Sequence, residues 1–361
     1  MPTPPPLPDS MRAVVYRGAH DLRLERIPVP EINTDELLVR VATCGVCPTD
    51  IKKIHYATVP PPRVFGHETA GTIVRVGSRV RGFKVGERVG LHHHIPCGEC
   101  HFCRHRAFAQ CATYKQTGIT AGFEPAGGGY AEYVRVMNFV LPGVVKIPAR
   151  NSFDEGAMLE PVNTVLKAVR QLALVPGDTV LVVGQGPIGL LFTQLLQLHK
   201  IQVVATDLMP ARLRLAKKFG AWRAVQADNP RLADTFHRLT RKRGFDAAIL
   251  TVPADPPVLQ AQDAVRGGGT VLLFAHTVRG KSTPLDLSKV CVDEKALTGS
   301  YSADVTLQRD VARFVFSRAL DVRPLITHTF PLEQTAAAVD RAANPGPDSL
   351  KILVSPLLSP G

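Results

Sequence analysis

The chain has 361 residues, of which 45% are hydrophobic and 20% charged, and a formal net charge of +12 at pH 7. That is more than one hydrophobic core usually serves, so two domains are expected, with the balance of an ordinary globular protein. No apolar run is long enough to span a bilayer, which excludes a helical membrane protein.

Residues 1–10 form a Pro-rich lead without the basic head and apolar middle of a secretory signal, so a cytoplasmic location is expected, with a folded chain beginning near Met11. The excess of Lys and Arg invites a nucleic-acid reading. Those residues are scattered, however, and the densest group, from Arg238 to Arg243, sits at the end of a predicted helix, where cations suit the helix dipole. Seven cysteines occur, four of them between Cys97 and Cys111. In a long chain with no signal such a cluster points to metal rather than to a disulfide framework.

Short alternating runs, Arg12–Tyr16, Leu22–Ile27 and Glu36–Ala42, predict antiparallel strands with one wet face. Cys44 and Cys47 follow in a Cys-x-x-Cys pair that is either redox-active or metal-binding, with Thr49 and Asp50 just beyond. An extended Pro60–Phe65 run leads to Gly66, His67, Glu68, Thr69, Ala70 and Gly71, then Gly77 and Val80. Cys47, His67 and a carboxylate, from Glu68 or from the distant Glu160, make a zinc-type ligand set that leaves a position open for water or substrate. Further on, Cys97, Cys100, Cys103 and Cys111 are spaced to wrap one ion tetrahedrally and leave no open position, which predicts a structural zinc. With that set complete, His92, His93, His94, His101 and His105 read as surface or packing residues. A zinc ribbon that binds nucleic acid is the rival reading of the lobe.

A helix is predicted from Glu160 to about Leu174, and a carboxylate in its first turn has an ordinary capping explanation as well. The pattern then changes. Asp178–Val183 is a continuous apolar run typical of a strand covered on both faces. Gly184-x-Gly186-x-x-Gly189, with Pro187 and Ile188 inside it, lies between that strand and an apolar helix, and Asp207 stands 23 positions past the first glycine. This is the context of a dinucleotide fingerprint, with the pyrophosphate on the helix N-terminus. Asp207 would accept the ribose hydroxyls of NAD and repel a 2′-phosphate, so NAD is favoured over NADP. Arg212 borders the adenine or is a surface helix residue. Strands at Ala221–Val225, Phe245–Leu250, Thr270–Phe274 and Ala296–Ser300 complete an open parallel sheet. A helix over Val305–Leu320, a strand over Leu325–Leu332, a helix over Glu333–Ala343 and a strand over Lys351–Val354 close the chain.

The frame Gly66-His67-Glu68-x-x-Gly71-x5-Gly77-x-x-Val80 resembles the signature of the zinc-dependent medium-chain dehydrogenases, the alcohol, polyol and threonine dehydrogenase family, over nearly the whole chain. The resemblance implies an α/β protein in which a doubly wound Rossmann sheet is inserted into a β-rich GroES-like catalytic domain. The expected bounds are 11–162 plus 303–361 for the catalytic domain, with the structural zinc lobe at 92–112, and 163–302 for the NAD-binding domain. It implies Cys47 rather than Cys44 as ligand, Thr49 as a hydroxyl that takes the substrate's proton, with N-capping as its alternative, and Asp50 as a residue that holds the ligand frame. Lys52 stands where many alcohol dehydrogenases place a relay histidine. Thr251, Val252 and Pro253, with Gly267–Thr270, resemble cofactor-lining turns. Glu160 sides with polyol and threonine dehydrogenases, whereas alcohol dehydrogenases often have Cys there. The implied activity is oxidation of a secondary alcohol, a polyol or cyclitol, to a ketone with hydride transfer to NAD in a cleft between the domains. L-threonine 3-dehydrogenase and primary alcohol dehydrogenase are alternatives. Substrate choice is expected to rest on side chains around 54–62 and 114–125. A homodimer or homotetramer with a small-molecule alcohol substrate, and no nucleic-acid or membrane partner, completes the expectation.

Overall fold

The computed structural model describes residues 7–115, 127–253, 255–275, 280 and 282–359. The chain forms two compact units, Met1–Asn163 with Ala303–Gly361, and Thr164–Ser302. None of the described helices is long and apolar enough to cross a membrane.

The first unit begins with β1 (Ser10–Gly18), β2 (Asp21–Pro28) and β3 (Leu37–Gly45), then α1 (Pro48–Tyr56), β4 (Arg63–Val64), β5 (Glu68–Val76) and β6 (Arg88–Leu91). A short helix in the cysteine lobe, α2 (His101–Arg104), precedes β7 (Tyr133–Val136), β8 (Val145–Lys146), α3 (Phe153–Ala157) and α4 (Leu159–Gln171). The second unit contains β9 (Thr179–Val183), α5 (Pro187–Leu198), β10 (Gln202–Asp207), α6 (Pro210–Lys218), β11 (Arg223–Gln226), α7 (Leu232–Leu239), β12 (Phe245–Leu250), α8 (Asp255–Ala264), β13 (Val265–Leu273) and β14 (Ala296–Gly299). The chain then returns to the first unit with α9 (Gln308–Phe316), β15 (Ile326–Pro331), α10 (Thr335–Ala343) and β16 (Lys351–Ser355).

β3 organises the first unit. It lies between β5 and β16 in a sheet ordered β15-β16-β3-β5-β6-β8, with β7 also paired to it. Leu37, Val39 and Val41 face a core with Ile73, Val89, Val134 and Val136. Cys44 and Val46, after register shifts in the strand, join a second core with Phe65, Tyr130 and Val354. The register pairs Gly45 with Glu68 on one side and with Leu353 on the other. The end of β3, the start of β5 and the start of β16 therefore meet at one place, and the chain leaves β3 there to reach Cys47.

The second unit is an open parallel sheet ordered β11-β10-β9-β12-β13-β14, the doubly wound order expected from the sequence. All five residues of β9 are buried, as its continuous apolar run predicts. One boundary differs. Gly267–Gly269 read as a turn before a strand at Thr270, yet β13 starts at Val265. Pairing with β12 is irregular between Phe245 and Ala247, so Arg266–Gly269 form a bulge within the strand, and Gly268 adopts φ +66 there. The helix expected over Val305–Leu320 is shorter, Gln308–Phe316, after a single tight turn at Val305–Leu307.

Asp246 fastens the entry of this sheet. Its carboxylate is 3% exposed and accepts from the Thr179 backbone N–H at 2.8 Å, Arg266 Nε at 2.7 Å and Arg243 Nη2 at 3.0 Å, joining β9, β12 and β13. Burial pushes its pKa up, but Arg266, the Thr179 N–H and Arg243 outweigh that and hold it below the ordinary value. Stability from this group is present above the ordinary carboxylate pKa and is lost as pH falls through the lowered one. Asp246→Asn should cost about 2 kcal/mol at pH 7 and flatten the loss of stability below about pH 4. Urea titrations followed by fluorescence of Trp222, the single tryptophan, which packs on this unit's core, measure both effects.

Candidate active site

Cys47 caps the N-terminus of α1, and His67 and Glu68 open β5. One ligand atom from each of Cys47, His67 and Glu68 lies within 4.8 Å of the other two, and both His67 and Glu68 are buried. A thiol, an imidazole and a carboxylate converging this closely fit a zinc ion with a position left open. Gly66, at φ +96, turns the chain into this corner, as Gly rather than another residue readily does.

The neighbours orient the trio. Asp50, buried in α1, puts Oδ2 3.1 Å from His67 Nδ1, which leaves Nε2 for the ion. Burial pulls the His67 pKa down, but the Asp50 carboxylate and Cys47 reverse that and hold it well above its ordinary value. Thr49 donates its hydroxyl to Cys47 Sγ at 3.2 Å. The cap of α1 is Cys47, so Thr49 is not the N-cap that its residue type also allowed. Lys52, on the same helix, has its pKa lowered by burial. Cys44 lies apart from the trio: it is fully buried, accepts from Thr69 Oγ1 at 3.3 Å, and has its pKa pushed up to about 12 by burial, which makes it an inert packing thiol.

Glu160, in the first turn of α4, does not join the close trio. Its Oε1 stands 3.8 Å from His94 Nε2. Burial raises its pKa to about 7; Glu68 and Asp50 add to the rise, while His67 and Lys351 oppose it. It therefore sits within the electrostatic reach of the site.

Two features, Lys351 and Gly45, were not read from the sequence. Lys351, buried at the start of β16, forms an ion pair with Glu68 and donates to the Val46 carbonyl at 3.0 Å. Gly45 has no room for a side chain, since a Cβ there would lie 1.8 Å from Glu68 Oε2. Of the histidines read as surface or packing residues, His92 and His93 are fully buried, and the His93 ring lies 5.5 Å from that of His67. Glu155 caps α3 in a reciprocal box with Ser152 and pairs with Arg318.

The four-thiol lobe stands complete. Ligand atoms of Cys97, Cys100, Cys103 and Cys111 all lie within 4.8 Å of one another, as four thiolates around one zinc require. Backbone N–H groups of Cys97 and Cys100 point at Cys111 Sγ and Cys97 Sγ, both at 3.4 Å. Tyr114 packs with Cys103 and Cys111, and its hydroxyl both donates to the Ala303 carbonyl and accepts from the Ala303 N–H, each at 3.0 Å. Residues 116–126, which hold most of the second segment expected to set substrate choice, lie outside the described residues.

In the second unit, Gly184 has φ +88 and faces Thr251 and Val252. Thr251 Oγ1 donates to the carbonyls of Val183 and Gly184, at 2.9 and 3.0 Å. Gly189 brings α5 against the turn, where a Cβ would lie 1.8 Å from the Gly184 carbonyl. Around Gly186 the space is open, with only Arg212 Nη1 within 4 Å of a built Cβ, and Pro187 and Ile188 start α5 beside it. Asp207 ends β10 and accepts from the backbone N–H groups of Gln185 at 2.6 Å and Met209 at 2.8 Å, with Arg212 Nη1 at 3.9 Å. An exposed turn, a helix N-terminus and a carboxylate at the end of the second strand fit a dinucleotide.

Two family models match the chain: the alcohol dehydrogenase GroES-like domain over residues 33–149 and the zinc-binding dehydrogenase domain over 187–317. The chain is 31% identical to a sorbitol dehydrogenase of Bacillus subtilis (strain 168), over 97% of this chain and 98% of that one. It is 30% identical to L-threonine 3-dehydrogenase of Escherichia coli (strain K12), over 87% and 91%. A protein of Sinorhizobium meliloti 1021, solved with NADP bound, superposes with a TM-score of 0.85 at 28% identity, over 96% of this chain and 99% of that one. With both dehydrogenase domains matched and a full-length likeness to a sorbitol dehydrogenase, the chain belongs to the zinc-dependent medium-chain dehydrogenases and is an oxidoreductase of that family.

Proposed function

We propose that the protein oxidises a secondary alcohol of the polyol or cyclitol class to a ketone, using NAD and a zinc ion held by Cys47, His67 and Glu68. The observation that carries this reading is the convergence of those three ligand atoms within 4.8 Å. Glu160, with its pKa raised to about 7 chiefly by burial, is the carboxylate available to join or replace Glu68. Its presence where alcohol dehydrogenases often carry Cys favours a polyol, and the sorbitol dehydrogenase likeness agrees with this. Threonine oxidation is the second reading, favoured by the 30% identity to L-threonine 3-dehydrogenase.

When bound, zinc supplies Lewis acidity that lowers the substrate hydroxyl's pKa, and the nicotinamide supplies the hydride acceptor. The chain does the rest. Asp50 fixes the His67 ring so that one nitrogen stays turned to the substrate side. Thr49, at 3.2 Å from Cys47 Sγ, places a hydroxyl where it can receive the substrate's proton and pass it outward. Lys351 holds Glu68 by an ion pair, so the carboxylate is shared between a buried ammonium and the metal position. Gly184, Gly186 and Gly189 keep the turn open for the pyrophosphate, Thr251 and Val252 line it, and Asp207 receives the ribose hydroxyls. Arg212, 3.9 Å from Asp207, borders the same position. The reading carries with it a cytoplasmic homodimer or homotetramer, in a reducing compartment where free thiols hold zinc.

Zinc-loaded protein should form NADH with at least one member of a panel of polyols, cyclitols, amino alcohols and L-threonine, read at the NADH absorbance band. No NADH or NADPH from the whole panel refutes the reading. Metal analysis should give two zinc ions per chain, falling to one in His67→Ala with activity lost, and to one in Cys103→Ser with lowered thermal stability. Asp207→Ser should reduce the NAD to NADP preference in kcat/KM by about tenfold, because the carboxylate both binds the ribose hydroxyls and repels a 2′-phosphate.

A further inference from the structure

The chain leaves the first unit after Asn163 and returns to it at Ala303, and both ends of that excursion are fastened within the first unit. Asn163, fully buried, accepts from the Asp304 backbone N–H through Oδ1 at 2.8 Å and donates through Nδ2 to Gln308 Oε1 at 2.8 Å. Departure and return are thereby tied to each other. Ala303 is fully buried as well, and both its backbone groups meet the Tyr114 hydroxyl, which accepts from the N–H and donates to the carbonyl, each at 3.0 Å. Ser302, just before it, has φ +61. That conformation is costly for a residue with a Cβ and persists where neighbouring contacts fix it.

Tyr114 is in turn held by the four-thiol lobe. It is 2% exposed, its ring packs with Cys103, Ala109 and Cys111, and its backbone N–H turns to the Cys111 sulfur. A donor aimed at a metal-binding sulfur orients that sulfur, and a sulfur fixed by a metal holds the donor in return. Four thiolates gathered within 4.8 Å repel one another unless a cation sits among them. Between Cys97 and Cys111 the only α-helix among the described residues is the four-residue α2, so an ion is what closes the lobe. A continuous path of contacts therefore runs from the sulfurs through Tyr114 to Ala303.

We propose that the four-thiol lobe is a metal-dependent latch on this crossing, with Tyr114 as the positioning residue: an ion in the lobe fixes the Tyr114 hydroxyl against Ala303, and its loss frees the point where the chain re-enters the first unit. This rests on the reading of Cys97, Cys100, Cys103 and Cys111 as a zinc lobe and is independent of the chemistry proposed at Cys47. Hydrogen exchange of the whole protein, followed by mass spectrometry, tests it without turnover, with segment 300–307 as reporter and segment 351–355, in β16 of the same unit, as control. Tyr114→Phe, which keeps the ring and removes the hydroxyl, should exchange about tenfold faster in 300–307 while keeping two zinc ions per chain. Cys103→Ser and Cys97→Ser, each with one zinc, should show the same gain confined to 300–307, and adding Tyr114→Phe to Cys103→Ser should change it little further. Should neither cysteine variant fold, Tyr114→Phe decides alone. Exchange unchanged in Tyr114→Phe, exchange unchanged in a cysteine variant that has lost one zinc, or a gain spread equally over 351–355 overturns the inference and leaves the Cys47 centre standing. A wild-type protein with a single zinc, removed by His67→Ala, shows the thiol lobe to be empty; the latch then falls while the proposed function stands.

Discussion

The site depends on a charge held out of water. Lys351 and Glu68 are both buried, one at the start of β16 and the other at the start of β5, and each is the other's counter-ion. Such a pair returns little net stability, but removing one partner strands the other and costs about 3–5 kcal/mol. The two strands are therefore held in register on either side of β3, and the corner where Cys47, His67 and Glu68 meet is held with them. Gly45 makes the corner possible, because any side chain there would occupy the space of the Glu68 carboxylate.

The same constraint bears on the chemistry. Under the proposed reading, a carboxylate shared between the Lys351 ammonium and a metal position would be a readily exchanged ligand. Glu160, buried nearby with its pKa raised to about 7 chiefly by burial, stands as a second carboxylate beside the proposed site. Asp50 serves a separate end, holding the ring of His67, the proposed imidazole ligand, in one direction.

Much of this was legible in the sequence because it is written locally. The Gly-x-Gly-x-x-Gly turn needs only a strand before it and a helix after it, and β9 and α5 supply them. Four cysteines from Cys97 to Cys111 can close on one another without help from distant chain, and they do. The Gly66–Glu68 frame likewise falls within a single turn and the strand it opens. What escaped was written across distance. Lys351 stands 283 positions from Glu68, followed by three apolar residues of its strand, so neither periodicity nor spacing marks it as part of the site. His92 and His93 read as surface or packing residues because the thiol set beside them was complete, and burial decides for packing. The start of β13 was missed for the opposite reason, since three consecutive glycines carry a turn's local signal inside a bulged strand.

Tyr114 belongs to two neighbourhoods at once. One edge of its environment is the thiol lobe, where it packs with Cys103 and Cys111; its hydroxyl grips the backbone of Ala303, and its face carries His94. The lobe, far from being a detached ornament, is the footing of an aromatic shelf. Under the proposed reading, losing the ion from the four sulfurs would free that shelf and, through His94, reach Glu160, so an ion far from the reacting carbon would still set the surroundings of the proposed site.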